Sequence, residues 1–120
     1  MAPETTVSVR PASRWAEGEE SYIHARLSRF AGLPPERIDE TLRGFQEVEL
    51  PVLEGHPGFA GVTLLVNRTT GQAAAVTYWS SDADLRGSER AAGEAVQAAL
   101  TRGGPSREPI IDRYEVVLQR

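Results

Sequence analysis

The chain is 120 residues long, enough for one compact domain and too short for two. It is 40% hydrophobic and 25% charged with a formal net charge of −4, which excludes wholesale disorder and argues against a nucleic-acid partner, where a basic face is expected. It has no cysteine, and all 13 basic residues are arginine, so disulfides, thiolate chemistry and a lysine Schiff base are excluded together.

Residues 1–20 lack the apolar run of a secretory signal, and no segment approaches the roughly 20 apolar residues of a membrane span. The expectation is a cytoplasmic protein with no membrane partner. Residues 1–20 read as a tail, with Trp15 as its packing anchor. Thr5-Thr6-Val7-Ser8-Val9 alternates well enough to form a short extra strand.

Residues 22–30 alternate, with Ile23, Ala25 and Leu27 on one face and Tyr22, His24, Arg26, Ser28 and Phe30 on the other, which predicts a strand. Gly32 and Pro34-Pro35 stop it. Ile38, Leu42, Phe45 and Val52 then recur at helical spacing, predicting an amphipathic helix over 36–53 whose last turn Pro51 should kink or loosen. Residues 59–67 and 73–79 read as strands joined by a hairpin at Arg68-Thr69-Thr70-Gly71-Gln72, where Gly71 can take the positive φ the loop needs. Ser81 or Asp82 caps a second helix that runs to about Arg102 and is broken by Gly103-Gly104-Pro105. Residues 109–118 read as a last strand.

The order βαββαβ predicts an α+β, ferredoxin-like fold: a four-stranded antiparallel sheet with two helices on one face, spanning 21–120. Two helices cover only one face of such a sheet. The other would be expected to alternate cleanly into polar residues, yet Leu65, Val76, Tyr78 and Tyr114 leave both faces apolar. A bare apolar face marks a partner surface, and a second copy related by a two-fold axis is the simplest partner. The tail folding back over that face is the alternative.

Several landmarks carry a family resemblance. A strand ending in Arg29-Phe30, a helix closing on Pro51, Pro57-Gly58-Phe59 entering a strand with Leu64-Leu65-Val66, then Thr69-Thr70-Gly71 and Thr77-Tyr78-Trp79, together resemble the dimeric α/β-barrel superfamily. Within it the chain is most similar to the antibiotic biosynthesis monooxygenase-like (ABM) domains, many of them small actinobacterial proteins. The all-arginine basic set, which suits a GC-rich genome, is in keeping with that. The resemblance spans residues 22–118. It implies a homodimer with a pocket in each subunit between sheet and helices. The family's characterised members include enzymes that oxygenate aromatic polyketide intermediates without metal or flavin and others that degrade haem, and many members have no demonstrated activity. Isomerase or lactone chemistry on the same scaffold is a further reading. Haem degradation in this family uses an asparagine on the first strand and a tryptophan and a histidine on the second helix. Here the only asparagine is Asn67, and Ser88 and Ala98 stand at the two helix positions, so a haem-degrading enzyme is not expected.

Oxygenation without a cofactor needs a base, a cation for the substrate anion and a dry aromatic cavity. His24 and Arg26, two apart on one strand face, are the candidate catalytic pair. The competing reading places that face in the dimer interface, where the pair satisfies partner groups. Phe45, Tyr78, Trp79, Ser88 and Tyr114 are candidate substrate-binding residues for a hydrophobic, aromatic small molecule; core packing is the alternative for the aromatics. Ser88, Ala92, Ala95 and Ala99 form a stripe of small side chains on the second helix, which either draws the helix close to the sheet or leaves room for a ligand. His24, His56 and Glu54 are the sole set resembling a two-histidine, one-carboxylate metal site, and nothing in their spacing supports one; no metal and no cofactor is expected. A non-catalytic dimeric ligand-binding or stress-responsive module is the alternative to the monooxygenase.

Overall fold

The computed structural model describes residues 4–9, 23–101 and 109–120. Its strands are β1 (Glu4–Val9), β2 (Ile23–Phe30), β3 (Phe59–Asn67), β4 (Gln72–Trp79) and β5 (Ile110–Val116). They form one sheet in the order β1-β3-β4-β2-β5, with every neighbouring pair antiparallel. The last four have the ferredoxin-like arrangement that βαββαβ dictates: each helical crossover joins strands that run parallel with one strand between them. The alternation at Thr5–Val9 is realised as a strand, so β1 widens the expected four-stranded sheet to five by pairing with β3. The tail reading of residues 10–20, Trp15, Tyr22, Ala99 as a side chain and the break at Gly103-Gly104-Pro105 fall outside the described residues. Among the described residues no helix is long and apolar enough to cross a membrane.

The first crossover opens with a 3₁₀ turn at Pro35–Arg37. It continues as α1 (Ile38–Gly44), widens into a π turn over Phe45–Glu49 and closes as α2 (Leu50–Glu54). Pro51 explains the middle. It lacks an N–H, and its ring would press on the carbonyl four residues back in a regular helix. The π turn just ahead relieves this, with the Leu50 N–H bonding Phe45 O, five residues back.

The second crossover, expected as a single helix, is two: α3 (Asp82–Gly87) and α4 (Glu89–Thr101). The Ser81 hydroxyl caps α3 by accepting from the Asp84 N–H at 3.0 Å. The break falls at Gly87-Ser88, where a weak helix former is followed by a side chain that competes for backbone partners.

Strand register sorts the two faces. Arg113, Arg26, Thr77 and Val62 form one cross-strand row, Glu115, His24 and Trp79 another, and Ile111, Ser28, Ala75 and Leu64 a third. These rows face the helices. Leu53, Trp79 and Leu85 pack there as one buried cluster, and Leu33, Ile38 and Val66 as a second. A bulge between Phe59 and Gly61 turns Phe59 to this side too, where its ring meets Trp79 edge-on at 5.5 Å. The opposite face carries the rows Tyr114-Ala25-Tyr78 and Ile110-Arg29-Ala74-Leu65.

Candidate functional site

Arg26 lies at the centre of the helix-facing side of the sheet, only 4% exposed. Its Nη2 donates to Leu85 O at 2.8 Å and to Ser88 Oγ at 2.9 Å. Both acceptors come from the break between α3 and α4, where carbonyls are released from the regular helical ladder. Ser88 Oγ in turn donates to Leu85 O at 2.7 Å, so the three groups close a ring of hydrogen bonds. The guanidinium lies over the Trp79 ring, 5.7 Å from its centroid, and the indole Nε1 is occupied in donating to Thr77 Oγ1 at 3.0 Å. Burial pushes the Arg26 pKa below its ordinary value; Glu89 opposes this, and the charge of Arg113 adds to it. Glu89 and Arg113 pair with each other across α4 and β5.

Beside this ring is a cavity of about 60 Å³ between the sheet and the helices. Arg26, Thr77 and Phe30 form its floor, with Phe45, Ala92 and Ala95 among the helical residues closing it. A second cavity of about 80 Å³ adjoins it, and the two share Phe30, Phe45 and Ala75 as a partition. The small side chains of α4 thus leave room rather than drawing the helix fully onto the sheet.

Of the residues singled out in the sequence, Arg26, Trp79 and Ser88 meet directly, and Phe45 walls the adjoining cavity. Trp79 is fully buried beneath the guanidinium and does not itself line the space. His24 shares the face but not the cavity. It lies one row away opposite Trp79 and Glu115, close enough to Asp82 to favour that carboxylate's ionised form. The reading in which Arg26 looks into a sheet-to-sheet interface is overturned, because its row faces the helices. Tyr78 and Tyr114 are the residues that face away. Period-two alternation puts them both in the row through Ala25, on the far side of the sheet from the cavity, so they contribute nothing to it. Tyr78 there lies 3.4 Å from Thr63 through their hydroxyls. Thr77, Ala75 and Phe30 line the cavity without having been singled out. Phe30 and Ser28 follow from the alternation around Arg26, but Thr77 and Ala75 are recognisable only once the β2–β4 register is known. Among the described residues no three His, Asp or Glu side chains converge as a metal site.

A wider concavity, about 670 Å³, lies elsewhere. It is an open trough along the Ile110-Arg29-Ala74-Leu65 row of the far face. Its charged residue, Arg29, is exposed and already paired with Asp112 at 3.0 Å. A polar group with an unmet need is found beside the helices, not here.

No protein-family model matches the chain. An uncharacterised protein of Mycobacterium tuberculosis is 29% identical over 102 residues, which are 84% of this chain and 42% of that protein. The chain thus spans less than half the length of the curated relatives it matches. A monooxygenase from the gene ActVA-Orf6 of Streptomyces coelicolor, solved with nanaomycin D, superposes with a TM-score of 0.65 at 15% identity, covering 83% of this chain and 94% of that one. The haem-degrading enzyme LmHde of Listeria monocytogenes gives 0.59 at 14% identity, with 92% and 69% covered. A dimeric ferredoxin-like protein from an uncultured marine organism gives 0.61 at 11% identity, with 84% and 92% covered. The chain is therefore an α+β ferredoxin-like domain with the fold of the antibiotic biosynthesis monooxygenase-like proteins.

Proposed function

We propose that the protein works as a homodimer in the cytoplasm, each subunit binding a small hydrophobic, aromatic molecule in the seam between its sheet and helices. The observation that carries this reading is the buried Arg26, held over Trp79 beside space that the alanines of α4 leave unfilled. Well-packed interiors rarely place a cation next to a void without use for both. The half-buried Phe45 ring stands between the two cavities, so a ligand larger than either would have to displace it. Dimerisation is supported by the far face, where Ile110, Tyr114 and Leu65 are exposed large apolar side chains on a surface the helices do not cover.

Within this reading, oxygenation without a cofactor gives Arg26 a chemical role, that of holding the anion that forms when an acidic aromatic loses a proton. An anthrone is a suitable probe, since its reaction with one molecule of oxygen yields the quinone and water. Oxygen uptake above the spontaneous rate, lost in Arg26→Met, is expected. Uptake no faster than without protein eliminates the enzyme. The non-catalytic ligand-binding module is then left, a reading that gains support from His24 lying outside the cavity.

A further inference from the structure

We infer, building on the ligand-binding reading above, that the seam's ligand is an organic anion whose charged oxygen accepts a hydrogen bond from Arg26 Nη1. Arg26 Nη2 is satisfied by Leu85 O and Ser88 Oγ. Nη1 is equally buried and has no hydrogen-bond partner among the described residues. An unmet buried donor is costly, and more so when it is charged. Among the described residues Arg26 is the one charged side chain lining this cavity. The carboxylate whose charge acts on it, Glu89, is engaged with Arg113, whose own positive charge also reaches Arg26. Around the guanidinium the balance is one positive charge in excess, in a place with little water to screen it, while the buried Glu49 lines the adjoining cavity and has a partner of its own. An anion fits that balance, whereas a cation or a fully apolar ligand leaves it unmet. The rings of Phe30 and Phe45 and the methyls of Ala75 and Ala92 offer the anion's carbon skeleton an apolar slot. The ligand class is therefore an aromatic carrying one carboxylate or ionised hydroxyl, its ring directed towards Phe45 and its oxygen towards the guanidinium.

Benzoate and benzamide have nearly the same shape and differ in charge, so calorimetric titration of the unmodified protein with each at pH 7 tests the assignment without any variant. Benzoate is expected to bind at least about tenfold more tightly, the ratio that one charge-assisted hydrogen bond supplies. Arg26→Met should abolish that advantage, bringing the two probes to the same affinity. Arg29→Gln, on the far face, should preserve it. Equal binding of the two probes leaves a ligand-binding seam intact but overturns the anion assignment. Binding of neither up to millimolar concentration overturns the seam as a ligand site, and the assignment with it.

Discussion

At Arg26 two tendencies oppose each other. Removing a guanidinium from water is costly, while the Leu85 carbonyl, the Ser88 hydroxyl and the face of Trp79 return part of that cost. The exposed charges behave differently, because solvent screens them. Hydrogen bonding from Arg68 holds the Asp39 carboxyl below its ordinary value, and Arg86 does the same for Asp82. A carboxyl with a depressed folded-state pKa contributes stability that is fully present above its unfolded value near 4 and is lost as pH falls through the folded value. The thermal unfolding temperature should therefore fall progressively from about pH 5 towards pH 2, and Asp39→Asn with Asp82→Asn should flatten the slope. A double variant with the parent's pH profile would remove these pairs from the acid response. At this scale, the sequence showed which residues were chemically capable. It did not show that Arg26 and His24, two residues apart, end in different surroundings, one over the cavity and one beside α3.

At the scale of elements, local rules and tertiary contact can be separated through the glycines. Gly93 lies inside α4, and a methyl group added there meets nothing within 4 Å. Gly71 takes φ +76° in the β3–β4 turn, and an added Cβ would come 2.6 Å from the Leu33 carbonyl oxygen; the Leu33 N–H in turn bonds Gly71 O. Gly93→Ala should stabilise the protein by about 0.5–1 kcal/mol through helix propensity and reduced freedom of the unfolded chain. Gly71→Ala should destabilise it by about 1–3 kcal/mol through backbone strain, before the clash is counted. Urea unfolding of both variants checks the opposite signs. Periodicity located the strands and the limits of the first helix to within a residue or two, because apolar spacing is a local signal. It missed the π turn as such, although Pro51 announced a disturbance there, and it ran α3 and α4 together, since Gly87-Ser88 is a permissive break that packing had to choose.

For the whole molecule, the far face is the decisive surface. Its row through Tyr114, Ala25 and Tyr78 lies across the sheet from the helices, and Tyr114 is 49% exposed. Sedimentation equilibrium at micromolar concentration should give a dimer, and Tyr114→Arg should shift it towards a monomer that retains its secondary structure. A monomeric parent would refute the proposed assembly. The sequence by itself determined the order of elements, the ferredoxin-like topology and the surplus of apolar sheet, since these depend on alternation, spacing and turn residues that neighbours in the chain can read. Only the tertiary structure decided which strand face holds the cavity, that Tyr78 and Tyr114 lie away from it, that a bulge turns Phe59 towards Trp79, and that Arg26 meets the break at Ser88. Those outcomes depend on pairing between strands and on where a distant helix breaks, and a period of two carries the same pattern whichever face is covered.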